Sequence, residues 1–273
     1  MKKSEHISPA SSISSEQDTL LLFSRHENQQ HIYENIVPTD DIRDLLEYTS
    51  DNNMFVIDLE NTVFETSQSL GSIEWYTQYK RISPTNALQS YELIQSMSKV
   101  KPVQIDMTAT TIQSLQAKSQ LVLAITHRRP EIKLVTEKQL SSIGIDFNHG
   151  LFKHATMPLA NGAYINAGIL YAAGRDHGLC LLEFLTNIFL KPKTIVHISS
   201  YRPHLEQMKV AAECNDIAYL GFIHNKLHHK IEDFDLKLAN VQLYILKEKQ
   251  KLISDEDAAA YLAPKLTPPF CPS

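Results

Sequence analysis

Four short runs along the chain, at 54–57, 121–125, 194–198 and 217–222, are apolar at nearly every position rather than at alternate ones. A strand apolar on both faces suits the middle of a parallel sheet, where helices cover each side. Between these runs the hydrophobic period becomes helical. PEIKLVTEKQLSSIG predicts an amphipathic helix closed by Gly144, and further helices are expected over 178–190, 203–214 and 233–251. The last of them carries Phe234, Leu238, Val241 and Ile245 on one face. Upstream, TDDIRDLLEYTS reads as a capped helix beginning near Thr39, and SPTNALQSYELIQSM as a helix with Ser83 as cap and Pro84 in its first turn. Residues 163–165 and 168–171 predict a hairpin around Asn166 and Ala167.

Strands alternating with helices imply an α/β fold with a doubly wound parallel sheet. Its core is expected from 37–63 and 119–252, with the mostly helical stretch 64–118 inserted after the first strand as a cap. A polar Ser/Glu/Gln-rich lead-in (1–36) and a flexible, Pro-rich tail (253–273, ending LTPPFCPS) flank it.

Composition narrows the function classes. At 43% hydrophobic and 21% charged, the chain of 273 residues has the make-up of a packed globule. Its 31 acids against 26 Lys and Arg argue against nucleic acid as a partner. No run approaches the roughly 18 apolar residues of a membrane span. Near the start, only 20–23 is apolar, too short for a signal peptide. Three scattered cysteines form neither a disulfide framework nor a zinc pattern, which points to a reducing compartment and a cytoplasmic protein.

In open parallel sheets, ligands gather at the carboxyl ends of the strands. Those positions here read Asp58-Leu59-Glu60-Asn61-Thr62, Thr126-His127-Arg128 and Ser199-Ser200. The first two resemble the haloacid dehalogenase (HAD) superfamily of phosphohydrolases, whose first strand ends in Asp-x-Asp-x-Thr and whose second ends in Thr or Ser. LGSIEWYTQYK, ITHRRPEI, QLSSIGIDF, NAGILYAAG and FLKPKTIVHI are similar, in order, to an uncharacterised bacterial branch of it. The resemblance covers residues 37–250. It implies a HAD-like Rossmannoid sheet with a helical cap after strand one, and nucleophilic phosphoryl transfer. Asp58 would attack phosphorus and Glu60 would act as acid and base. Thr62, Thr126 and Arg128 would hold phosphate. Mg²⁺ would sit on the Asp58 side chain, the Glu60 carbonyl and the positions of Ser199 and Ser200.

Three departures from that pattern stand out. Glu60 replaces an Asp, His177 occupies the place of the catalytic lysine, and Ser199 and Ser200 replace the metal-binding acids. Losing two preorganised electrostatic groups costs roughly 5–8 kcal/mol of transition-state stabilisation if additive. Compensation would have to come from Arg175, Lys191 or Lys193 for the lysine, and from Asp216 or Glu206 for the metal. The expectation is therefore a pseudophosphatase or weakly active relative. It would act by binding a phosphorylated small molecule, a phosphoprotein, or a protein partner through the cap. The alternative is an active Mg²⁺-dependent phosphomonoesterase with an aspartyl-phosphate intermediate. A third reading is a bacterial effector secreted into a host cell, because the resembled branch comes from bacteria that live inside host cells.

Other residues read more plainly. Arg128 suits either an anion or a surface partner such as Glu131. Trp75 and Tyr76 suit packing of the cap, His197 a neutral core position and His204 a cap. The run FIHNKLHHK places His224, His228 and His229 close in sequence, but no carboxylate or cysteine completes a metal pattern.

Overall fold

The computed structural model describes residues 35–263; nearly all of the polar lead-in and the Pro-rich end of the tail (264–273) lie outside the described residues. In chain order come β1 (Ile36–Thr39), a 3-10 helix (Ile42–Tyr48), β2 (Asn53–Asp58), β3 (Phe64–Thr66), α1 (Ile73–Ile82) and α2 (Pro84–Met97). Then follow β4 (Val100–Pro102), α3 (Thr108–Lys118), β5 (Val122–Thr126), α4 (Lys133–Ser142), β6 (Thr156–Pro158), β7 (Tyr164–Asn166) and β8 (Ile169–Tyr171). The chain continues through α5 (His177–Asn187), β9 (Thr194–Ser199), α6 (Arg202–Glu213), β10 (Ala218–His224), α7 (His228–Glu232), α8 (Leu236–Lys249) and α9 (Asp255–Leu262).

Eight strands form one sheet in the order β1-β10-β9-β2-β5-β8-β7-β6, while β3 and β4 pair separately. The first six are parallel and the last two pairings are antiparallel, so the fold is a mixed α/β one with a mostly parallel sheet. The four apolar runs become β2, β5, β9 and β10, and they lie next to one another in that sheet. Successive residues of β2 serve opposite faces. Met54 and Val56 pack with Leu181 and Phe184 of α5 and Leu205 and Met208 of α6. Phe55 and Ile57 pack with Leu45, with Ile112 and Leu115 of α3, and with Leu140 of α4. Thus α3, at the end of the segment 64–118, packs into the core of the sheet. A third cluster joins Leu70, Trp75, Tyr91 and Ile94 around α1 and α2 to Ala239 of α8.

Four elements differ from expectation. The described part of the tail expected to be flexible forms α9, with Ile253 and Ala258 packed against Ile245 of α8. β1 lies at the boundary with the expected lead-in; four residues with Pro38 suit an edge strand but are too few for a period to emerge. The segment after Thr39 is a 3-10 helix capped by the Asp41 side chain, which accepts from the Arg43 amide. In the hairpin the turn falls on Ala167 and Gly168, both at positive φ (47° and 78°). A Cβ at Gly168 would lie 2.0 Å from the Phe147 carbonyl oxygen, so glycine is required there.

Gly178 sets the approach of α5 to α6. A Cβ there would lie 2.4 Å from the Gln207 carbonyl oxygen and 2.6 Å from Ala211 Cβ. Gly178→Ala is therefore expected to push the helices apart and to cost about 1–3 kcal/mol despite alanine's better helix propensity. Urea denaturation measures the loss; an unchanged midpoint would contradict this packing.

Candidate functional site

Parallel pairing of β2 with β5 and β9 brings their carboxyl ends to one edge, where Asp58 is in register with Ile125 and Ile57 with Ile198. Asp58 is 2% exposed. Its Oδ2 accepts from Ser199 Oγ at 2.6 Å and lies 2.9 Å from His204 Nδ1. Its Oδ1 is buried with no hydrogen-bond partner. Beyond Asp58 the chain turns back tightly, with Asn61 in the left-handed region (φ 55°) and the amides of Val63 and Phe64 donating to the Leu59 carbonyl. This turn aims Glu60 inward. It also places Thr62 Oγ1 where it accepts from the Ser200 amide at 2.9 Å.

Glu60 is enclosed by its own neighbours. Thr126 Oγ1 donates to the carboxylate, 2.9 Å from both oxygens. Arg128 Nε lies 2.6 Å from Oε1, an ion pair not aligned as a hydrogen bond, and His127 Nδ1 lies 3.4 Å from Oε2. Burial alone would raise the pKa of Glu60, but the charge of Arg128, helped by His127 and Thr126, outweighs it and holds the group at about 2.

Arg128 is likewise committed. Nη1 donates to Thr136 Oγ1 (3.0 Å) and Gln139 Oε1 (2.7 Å), and Nη2 to Gln95 Oε1 of α2 (2.9 Å). It is a buried structural cation, and Glu131 pairs instead with Arg129 at 3.7 Å. Arg129 also bonds Glu92 of α2. The His127 ring packs against Tyr76 and Tyr91 at 5.8 and 5.6 Å between centroids. Trp75, expected to pack, is fully buried and stacks on Tyr79. A cavity of about 10 Å³ beside Glu60 and Arg128, bounded also by Asn61, Phe64 and Tyr91, has room for roughly one water.

His177, the first residue of α5, is fully buried and stacks on His204 of α6 with 3.7 Å between ring centroids. Neither of its ring nitrogens has a hydrogen-bond partner. Burial holds its pKa well below the usual value, and the neighbouring His204, His197 and His127 act in the same direction.

Thus Asp58, Glu60, Thr62, Thr126, Arg128, His177, Ser199 and Ser200 do meet at one edge of the sheet, but largely bonded to one another. The oxygens expected to hold Mg²⁺ do not fit that ion. Ser199 Oγ donates to Asp58, Ser200 Oγ donates to the Glu60 carbonyl at 3.3 Å, and the Glu60 carboxylate is turned to Arg128. Mg²⁺ seeks near-octahedral oxygen ligands, and one spare carboxylate oxygen does not supply them. Four of the five expected substitutes are committed or lie elsewhere, while Glu206 is on α6, two residues beyond His204. Lys191, Lys193 and Asp216 precede β9 and β10, at the opposite end of the sheet, and Arg175 pairs with Glu183. His228 pairs with Glu232 across α7, and His224 is buried at the end of β10. His204 and His127 were the residues the sequence underrated. Their only signal was position, directly after β5 for one and at the start of α6 for the other.

Comparison with known proteins places the chain. It is 22% identical over 223 residues to a protein of Chlamydia trachomatis serovar D named "Putative outer membrane protein", covering 78% of this chain and 83% of that relative. That name runs against the cytoplasmic or host-secreted placement expected above, which is withdrawn; few cysteines show only that disulfides are not the framework. Among the described residues no helix is long and apolar enough to cross a membrane. No solved structure matches the chain. The resemblance to the haloacid dehalogenase superfamily is also overturned, since polar residues gather at the strand ends of any open parallel sheet and a few short motifs there do not define a family. A different family model, described as "Protein of unknown function (DUF2608)", matches residues 36–259, and the chain belongs to that family.

Proposed function

We propose that the chain is a non-hydrolytic binding protein, in which the polar cluster at the strand ends is satisfied from within. One observation carries this reading: the Glu60 carboxylate sits on Thr126 and Arg128, the groups a phosphate would need. Glu60 thus fills an anion site from within. Held well below the usual carboxylate range by Arg128, it stays ionised at neutral pH and is poorly suited to act as a general acid. In the same reading, α1 and α2 with the β3–β4 ribbon form a cap closed onto the end of β5. Gln95, Glu92 and Tyr91 hold it to Arg128, Arg129 and His127. Binding then falls to the exposed side chains of α1 and α2, among them Ile82 and Leu93, and a protein partner suits these better than a phosphorylated small molecule.

Active phosphomonoester hydrolysis is the rival, and the buried, unpartnered Oδ1 of Asp58 is what favours it. Purified chain with Mg²⁺ and an aryl phosphate separates the two. The expected result is turnover no greater than that of Asp58→Asn. Turnover that this substitution abolishes would establish the hydrolase instead.

A further inference from the structure

We infer that Asp58, His177 and His204 form a site for a divalent transition-metal ion of the zinc or ferrous class. The three residues come from separate elements: the last residue of β2, the first of α5 and the first turn of α6. Their ligand atoms all lie within 4.8 Å of one another, and among the described residues no other such group of three His, Cys, Asp or Glu occurs. Tetrahedral coordination at about 2.0–2.2 Å needs separations of roughly 3.3–3.5 Å, so an ion would draw the ligand atoms together and turn the stacked His177 and His204 rings apart.

The second observation is what these residues lack. Both ring nitrogens of His177 and Oδ1 of Asp58 are buried without a hydrogen-bond partner. Leaving such groups unsatisfied is unfavourable, and native interiors rarely do so without a reason. Two imidazoles and one carboxylate are the donor set of catalytic zinc and non-haem iron sites, whereas Mg²⁺ and Ca²⁺ prefer oxygen throughout. Ser199 Oγ, by donating to Asp58 Oδ2, orients the carboxylate and leaves Oδ1 to face an ion. Three protein ligands leave a position open for water or an exogenous donor. The inference does not depend on whether phosphate esters are turned over.

The test is titration of the tag-free, metal-stripped full chain with Co²⁺, read by its visible absorption, followed by displacement with Zn²⁺. The wild type should take one ion per chain and show a tetrahedral or five-coordinate band. His204→Ala, at a partly exposed position, and His177→Ala should each weaken binding by at least about 100-fold. The double substitution of His228 and His229 by Ala should leave binding unchanged. Circular dichroism establishes that each variant is folded; if His177→Ala does not fold, Asp58→Asn takes its place. Absence of a Co²⁺ band in the wild type would overturn the site. So would binding that survives both His204→Ala and His177→Ala (or Asp58→Asn in its stead), or binding lost with His228 and His229. Aryl-phosphate turnover without metal binding would refute the site and the binding-protein reading separately, since each has its own readout.

Discussion

Arg128→Met is expected to destabilise the chain by about 3–5 kcal/mol, because it strands the buried charge of Glu60. At about 2–4 °C per kcal/mol for a domain near this size, thermal unfolding should fall by roughly 6–20 °C. Arg128 also donates to Thr136, Gln139 and Gln95, so part of the loss is detachment of α2 from α4. A double-mutant cycle separates the two contributions. Glu60→Gln alone should also destabilise, by leaving Arg128 without its counter-charge. The pair together should cost less than the sum of the singles, with a coupling of about 0.5–3 kcal/mol. Additive losses would mean that Glu60 and Arg128 do not form the buried pair on which the reading of the site rests.

Acidification should unfold the chain before Glu60 takes up a proton. Burial pushes His197 down to about 3 and His224 down to about 4, so both stay neutral in the fold and become charged in the unfolded chain. Their contribution is complete above about pH 6.5 and is lost as pH falls toward those folded values, about 3–5 kcal/mol for each. Glu60 adds a later loss. Its lowered pKa contributes about 3 kcal/mol above pH 4.5 that disappears toward pH 2. The total rivals the 5–15 kcal/mol that holds most domains together. Urea denaturation at pH 8, 7, 6 and 5 should therefore show stability flat at first and then falling, with a shallower fall in His224→Leu. Constant stability from pH 7 to pH 5 would contradict it.

The parts of the fold legible in the sequence were those where burial is one-dimensional. β2, β5, β9 and β10 sit inside the sheet, so their apolar runs announce them without knowledge of their neighbours. β1, β4 and β6 are three or four residues long with mixed exposure, and no period can be read from so few positions. The site divides in the same way. Asp58, Thr126 and Ser199 could be named because each ends a strand. That Glu60 would turn to Arg128 depends on the left-handed Asn61 and on polar partners from α2 and α4. That His177 and His204 would stack depends on how closely Gly178 lets α5 approach α6. Such pairings join residues far apart in the chain, and local patterns do not encode them. The same limit explains the mistaken family: short strand-end motifs report a type of sheet, whereas the match over 36–259 reports relatedness.

In the proposed reading Glu60 is a permanent counter-charge to Arg128 and not an acid that exchanges protons with a substrate. Carbon-detected NMR of selectively labelled Glu60 across pH 8 to 5 tests it directly. The carboxyl shift should stay at its ionised value until the fold is lost in acid. A reversible titration of the folded chain with a midpoint above about pH 5, in the range a working general acid needs, would contradict it.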